Sequence, residues 1–453
     1  MIDVSMVAQA VPDRDQELSK IADCAEIAIS HARTLGADTS EVSASIHNSV
    51  NVNVRLGEIE TLEHSRDRGL GISVYIKDSK GHASSADLRE ESIRLCVEKA
   101  IDIARFTQAD KCNGLAPADR MCTHFPDLDL WHPQPLDAVA ITERALACEA
   151  AGLDCPDIAN SDGASASASY GLNVYANSSG FVGRRDGTRY GQSCVLIAGE
   201  GDAMQRDYWY DTQRNYSELE DAEKTGRKAA QRTIRRLGAR KIPTCEVPIL
   251  FAPEVAKGIV GHLLGAIAGG ALYRQASFLQ DAAGQQLFPE WMRMSELPFI
   301  KRGPGSTAFD AEGVATAERD IISEGVLTGY VLGSYSARRL GLETTGNAGG
   351  VHNLQVGPGR YSEKEMLQLL GTGLLVTEVM GQGVSIVTGD YSRGAGGFWV
   401  ENGEIKHPVD EVTIAGHLKD MFMGVAAIGG DIDKRSNILV GSMLLNKMTV
   451  AGS

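Results

Sequence analysis

The stretch Gly258-Ile-Val-Gly-His-Leu-Leu-Gly-Ala-Ile-Ala-Gly-Gly-Ala-Leu-Tyr-Arg-Gln-Ala-Ser-Phe-Leu279 decides how the second half of the chain is read. It follows a short β-like run, Val247-Pro-Ile-Leu-Phe251, and the turn Ala252-Pro-Glu254. Gly261, Gly265, Ala266, Gly269 and Gly270 recur every three or four positions. On a helix that spacing makes a flat face, against which a backbone or a bound chain can lie closely. Each Gly costs a helix about 1 kcal/mol relative to Ala, so the surrounding fold has to compensate. Two readings stand level: close helix–sheet packing, or the lining of a site.

Downstream of this helix the chain is punctuated by glycine. From residue 246 onward it holds 33 of the 50 Gly. Short β-like runs alternate with Gly turns at Glu318–Ile322, Val326–Leu332, Leu374–Glu378, Val384–Thr388, Gly397–Val400, Val412–Ala415 and Ile438–Leu445. That interval predicts a β-rich sandwich or barrel-like domain over 247–453, with the Gly258 helix and helices near 362–370 and 417–426 packed on it.

Upstream the pattern is different. Leu18, Ile21, Ala25, Ile29 and Ala32 share one face of a helix over 14–35, with Gly36 where a C-cap belongs. The period then changes to two. Val42, Ala44 and Ile46 alternate with polar residues, as do Val50, Val52, Val54 and Leu56, and Leu70, Ile72, Val74 and Ile76. Gly57-Glu58 and Asp78-Ser-Lys-Gly81 read as turns of an antiparallel meander with one polar face. Helices follow at 89–106 and 136–151. A second strand series runs through Ala164–Ala176, the turn Asn177-Ser-Ser-Gly180, Phe181–Arg185, Ser193–Ala198 and Met204–Asp211. A helix over 219–237 closes this half. The fold class is therefore α+β: an N-terminal domain of antiparallel sheet and helices over 1–237, a linker over 238–246, and the β-rich C-terminal domain.

At 453 residues the chain can bury two sizeable cores. A formal net charge of −15 argues against a nucleic-acid partner, since phosphate binding needs a basic surface. The basic residues between Arg227 and Lys241 are spread around a helix and read as a solvated or partner-facing surface. Eight Cys without a C-x-x-C suit reduced thiols in a cytoplasm. Residues 1–10 lack the basic start and apolar core of a signal peptide, and no apolar run is long enough to span a membrane.

Few motifs carry chemistry by themselves. Gly371-Thr-Gly-Leu-Leu-Val376 precedes a strand instead of opening a helix, and no phosphate loop or nucleophile elbow is present. No two of the ten His lie three to five residues apart, and there is no His-Glu pair. Asp390 and Arg393, within Thr388-Gly-Asp-Tyr-Ser-Arg-Gly394, either pair with each other or line a groove to which a peptide adds as a strand. Tyr273, Arg274, His352 and Asn353 are further candidates for such a groove or for a subunit interface. His262 reads first as a satisfied core or interface histidine and second as a catalytic one.

The order of longer motifs adds a resemblance. Gly261-His-Leu-Leu-Gly-Ala-Ile-Ala-Gly-Gly-Ala-Leu-Tyr-Arg274, Arg319-Asp-Ile-Ile322, Ser334-Tyr-Ser-Ala-Arg-Arg-Leu-Gly-Leu342, Ala348-Gly-Gly-Val-His-Asn353, Met380-Gly-Gln-Gly383, Thr388–Gly394 and Phe398-Trp-Val-Glu-Asn-Gly-Glu-Ile405 together resemble the TldD/PmbA metalloprotease family. The likeness covers nearly the whole chain and points to the family's metal-free branch. Members of the TldD type carry H-E-x-x-x-H on the matching helix and a downstream Cys as zinc ligands. Aligned on the flanking Gly, those positions fall at Gly261, His262 and Ala266, with the Cys near Ala395.

What the resemblance implies is a subunit without a bound cofactor or catalytic residue of its own, joined to a TldD-like partner that holds zinc and cleaves unfolded or small peptides. It also implies links to antitoxin turnover and to maturation of a peptide antibiotic that poisons DNA gyrase. A stand-alone peptide-binding or scaffold homodimer is the alternative. An autonomous hydrolase using Asp390 with His262 or His352 ranks third, since nothing in the sequence pairs a nucleophile with a base.

Overall fold

The computed structural model describes residues 11–452; residues 1–10, where no signal peptide is expected, lie outside the described residues. The first half runs α1 (Arg14–Thr34), β1 (Thr39–Arg55), β2 (Glu58–Ile76), β3 (Ser79–Ser85), α2 (Glu90–Phe106), α3 (Ala138–Leu153), β4 (Ile158–Asn177), β5 (Val182–Ala198), β6 (Gln205–Gln213) and α4 (Ala222–Ile234). Its strands form one antiparallel sheet in the order β3-β2-β1-β4-β5-β6.

The period-two pattern explains how this sheet is covered. Val42, Ala44, Ile46, Val50, Val52 and Val54 all point to one face of β1 and are buried. The first three pack beneath α1 and α2, together with Leu70, Ile72, Leu172 and Val174. The last three pack beneath α3 and α4, together with Ala164, Ala166, Cys194 and Leu196. All four helices thus lie on one face. The other face presents serines and asparagines, among them Ser165 and Ser193, whose hydroxyls bond across strands at 2.8 Å.

Some boundaries differ from the sequence expectation. The runs expected at Phe181–Arg185 and Ser193–Ala198 merge into one long strand, β5, which begins at Val182. The turn expected at Asp78–Gly81 is tighter, because Ser79, Lys80 and Gly81 already pair with Ile76, Tyr75 and Val74. Gly81 serves a close approach instead: a Cβ there would sit 1.9 Å from the Ala100 carbonyl oxygen of α2.

The second half begins with β7 (Cys245–Phe251), α5 (Pro253–Ala266), α6 (Gly269–Tyr273), β8 (Arg293–Glu296), β9 (Arg319–Ser323), β10 (Val326–Leu327), α7 (Ser334–Leu340) and β11 (Leu354–Gly357). It continues with α8 (Glu363–Leu370), β12 (Gly373–Met380), β13 (Asp390–Glu401), β14 (Glu404–His417), α9 (Leu418–Met423), β15 (Val425–Ile428), β16 (Ile438–Leu439) and β17 (Met443–Ala451). Strands β14-β13-β12-β7-β17 form a row, and β14 also pairs with β17. The row therefore closes into a five-stranded barrel, with β15 appended to β17. A smaller sheet runs β10-β9-β8-β11-β16.

One large core joins the barrel's inner residues Ile249, Phe251, Val376, Ile414 and Val450 to the buried face of α5. Four expectations fail in this half, and one of them is the run Ile438–Leu445, which divides into β16 and β17 of different sheets. Val384–Thr388 is a turn with one bridge, Val384 to Tyr391. The strand expected to reach Leu332 stops at Leu327. Residues 425–428 leave the helix and join β17 as β15. In each case apolar content was read as regular structure, whereas glycines 389 and 424 and tertiary pairing decided it.

The halves meet along charged and aromatic contacts. The buried Arg236 pairs with Glu378 at 2.5 Å, Asp410 at 3.8 Å and Asp207 at 3.9 Å. Arg232 pairs with Glu254 at 2.7 Å. Tyr335 donates to Asp110 at 2.8 Å. Among the described residues no helix is long and apolar enough to cross a membrane.

Candidate functional site

Helix α5 starts cleanly: Pro253 occupies the first turn with Glu254, where a fixed φ and a negative charge both favour a helix N-terminus. Val255, Ala256, Ile259, Val260, Leu263 and Ala266 form its buried stripe. The opposite stripe is Gly258, Gly261, His262 and Gly265. A Cβ added at Gly258 or Gly261 meets nothing within 4 Å, and one at Gly265 touches only Ile386 methyls at 3.9 Å. The small residues therefore border open space, and the close-packing reading fails for them. It holds one turn later, at Gly269, where a Cβ would lie 2.3 Å from the Ser336 hydroxyl.

His262 is half-buried in this stripe. Its ring meets Tyr391 of β13 edge-on, with centroids 5.9 Å apart and planes at 72°. Burial, helped by the Arg393 guanidinium, holds its pKa below the ordinary range and keeps the ring neutral near pH 7. Burial likewise pushes the Tyr391 phenol up to about 12. Tyr391, Arg393 and Ala395 alternate along β13 and so share a face. Arg393 donates from Nε to the Met380 carbonyl at 3.4 Å.

Asp390 lies on the other face, exposed, and accepts from the Thr388 hydroxyl at 2.6 Å. It pairs with neither Arg393 nor either histidine, so the Asp–His couple of an autonomous hydrolase is not assembled. Nor does this segment offer a strand edge. Residues 390–393 pair with β14 on one side. On the other, Ser392 donates to Gly383 at 2.6 Å and Ser385 donates to Asp390 at 2.9 Å. Strand addition expected at 388–394 is therefore blocked on both sides.

The remaining candidates fall elsewhere. Tyr273 packs edge-on against Tyr335 at 5.7 Å, with Arg274 and Arg339 over its ring at 5.5 and 5.6 Å. This cluster borders the seam through Tyr335 and Asp110. Asn353 is fully buried: its amide donates to Leu297 and Ser306, and its oxygen accepts from Gly305. Those bonds make it a loop clamp. His352 donates its backbone N–H to Glu296 at 2.7 Å, and its ring contacts the Gly346 carbonyl at 3.2 Å. Burial lowers its pKa too.

His352 also lines a cavity of about 550 Å³ between the halves, along with Arg184, Arg185 and Arg214. Sequence reasoning passed over these arginines. Two adjacent Arg in a strand-like run, one necessarily facing each side, were the available signal.

The donor set at the zinc positions expected from the family resemblance is a direct test. Gly261, Ala266 and Ala395 have no donor atom on their side chains, and His262 alone remains. Among the described residues no three His, Cys, Asp or Glu side chains gather where they could hold a metal. A zinc site with three protein ligands does not fit here.

A long antiparallel sheet covered on one face, joined to a closed barrel against which a helix with an open glycine stripe is packed, makes a two-part α+β architecture. Three family models match it in order: PmbA/TldA metallopeptidase domain 1 over residues 40–104, the central domain over 129–237 and the C-terminal domain over 244–452. Metalloprotease PmbA of Escherichia coli O157:H7 is 47% identical over 431 residues, covering 94% of this chain and 96% of that one. A crystal structure from Bacteroides thetaiotaomicron, named for modulation of DNA gyrase, superposes with a TM-score of 0.91 at 25% identity, covering 98% of this chain and 100% of that one. TldE from Thermococcus kodakarensis shares the fold, with a TM-score of 0.83 at 20% identity over 95% of this chain and 100% of its own. The chain belongs to the PmbA/TldD metallopeptidase family, in its PmbA/TldE branch.

Proposed function

We propose that this chain is the metal-free subunit of a heteromeric, cytoplasmic peptidase. A TldD-like partner brings the zinc and the catalytic groups. This chain completes the substrate chamber with the open stripe of α5, flanked by His262, Tyr391 and Arg393. The single observation behind the reading is that stripe: glycines that leave room for a chain stand beside one neutral histidine, where a zinc peptidase would need a full ligand set. Relatives named metalloproteases and a helix without ligands are reconciled if metal and groove reside on different subunits. Tyr273 and Arg274 are assigned to supporting contacts at the seam, Asn353 to loop structure, and small or unfolded peptides to the substrate class.

The test is metal content and association. The purified chain should carry far less than one zinc per molecule. It should co-elute with a TldD-like chain as one complex, whose zinc matches that of the TldD-like chain alone. Stoichiometric zinc on the isolated chain, or two separate peaks, would defeat the proposal.

A further inference from the structure

Buried charges in proteins are paired, or they hold a ligand, because an isolated one costs several kcal/mol to desolvate. The cavity of about 550 Å³ between the halves departs from this rule at two half-buried arginines, and its lining includes no residue of α5 or β13. The guanidinium of Arg185 is stacked on Phe309 with its centre 4.1 Å from the ring centroid. Its donors reach the carbonyl oxygens of Phe309 and Asp310, and its Nε is buried with no acceptor. Arg214 donates to the carbonyl oxygens of Thr188 at 3.2 Å and Pro304 at 2.9 Å. Among the described residues neither forms a salt bridge with a carboxylate. Burial lowers both pKa values, as expected for charges short of a counter-ion.

The acidic groups at the cavity are largely committed. Asp186 pairs with Arg14 at 3.0 Å and Asp129 with Arg302 at 3.3 Å. Asp127 accepts the Asp129 N–H at 2.9 Å. Asp310 accepts three backbone N–H bonds, from Glu312, Val314 and Ala348, and burial pushes its pKa up to about 6. Phe125, Trp131 and Phe309 add aromatic wall. Strand β5 flanks the cavity through Arg184, Arg185 and Asp186, a stretch that β6 does not reach, since its pairing begins at Tyr190.

We infer that this cavity is a binding site for a carboxylate carried on an aromatic or apolar body, with Arg185 and Arg214 receiving the carboxylate and Phe125 and Trp131 receiving the body. Planar guanidinium donors suit a carboxylate, and the nearby aspartates disfavour a dianionic phosphate. The carboxylate comes either from a peptide or from a free organic acid. The site stands apart from the α5 groove and does not depend on the subunit proposal.

Titration calorimetry on the full chain tests this. N-acetyl-phenylalanine should bind at one site, and its neutral amide should bind at least about tenfold more weakly, the value of one charge-assisted hydrogen bond. Inorganic phosphate should bind more weakly than the acid. Arg185→Met should reduce affinity for the acid by about tenfold or more. If that variant fails to fold, Arg214→Met carries the test and should weaken binding at least about threefold. Two further ligands separate the sources: a tripeptide ending in Phe with a free terminus, and an amidated peptide with an internal Glu. Tighter binding of either than of N-acetyl-phenylalanine assigns the site to peptides; weaker binding of both assigns it to free acids, and either result upholds the carboxylate site. Equal affinity for acid and amide, no binding of the acid, tighter binding of phosphate, or unchanged affinity in a folded Arg185→Met or Arg214→Met would overturn it.

Discussion

The two halves of this molecule are stable for different reasons. In the N-terminal half, β1, β2, β4 and β5 run 17 to 20 residues, and in β1, β4 and β5 every second side chain over long stretches is buried. The same contact is repeated many times, so no single residue decides the register. In the C-terminal half the barrel strands are shorter and close on themselves, and the closure relies on places where only a hydrogen atom fits. A Cβ at Gly397 would lie 1.9 Å from the Leu375 carbonyl oxygen of the neighbouring strand, and one at Gly373 would lie 2.4 Å from that of Pro248. Repetition tolerates change; closure does not. Helix α5, whose open face is the proposed peptide groove, packs on this closing half.

The sharpest way to break this contrast is Gly397→Ala. The clash is with backbone in a closed barrel, so a loss of about 3 kcal/mol or more is expected in denaturant unfolding, or failure to fold. A loss below about 1 kcal/mol would show that the barrel yields. Arg236→Ala comes next. It removes the cation shared by Glu378, Asp410 and Asp207 at the seam and should cost about 3 kcal/mol, and unfolding should separate into two transitions. A single unchanged transition would mean that the halves are coupled elsewhere. Gly226→Ala sets the same clash in the N-terminal half, 1.9 Å from the Cys148 carbonyl oxygen between α3 and α4. Two helices on a sheet can slide apart, so the expected loss is smaller, about 1–2 kcal/mol. A loss exceeding that of Gly397→Ala would reverse the comparison.

The smallest effect concerns pH. The folded pKa of His262 lies below its ordinary value, so the unfolded chain takes up the proton first. The stability contributed by the neutral ring is complete above about pH 6.5 and is lost as pH falls below that. Thermal melts from pH 7.5 to 5 should show a shallower decline for His262→Gln than for the natural chain, His352 retaining part of the slope. Parallel declines would mean that His262 is solvated in the fold.

The same contrast decides what could be read from sequence. Alternation at Val42–Val54 and Leu70–Ile76 placed the long sheet and its covered face, because a period of two has one geometric meaning. The β-rich, barrel-like character of the second half was also legible from glycine spacing. Its pairing was not. Closure of β14 on β17 joins residues far apart in sequence, and local pattern carries no trace of it. The Gly258–Gly265 stripe was found as a feature, but open space and tight packing need the same residue, and only three dimensions separate them. Asn353 drew notice as a polar residue in a glycine loop; its burial as a clamp depends on Ser306 and Gly305, nearly fifty residues away. Arg185 and Arg214 were missed because neither the Arg184-Arg185 pair in β5 nor Arg214 just beyond β6 shows in sequence whether its charge is paired.

The most direct test of the central claim is peptide cleavage by three preparations: this chain, a TldD-like chain, and their mixture, each with and without a chelator. The account predicts cleavage of an unstructured peptide by the mixture, its loss on chelation, and none by this chain alone. Cleavage by the pure chain, unaffected by chelator, would contradict it.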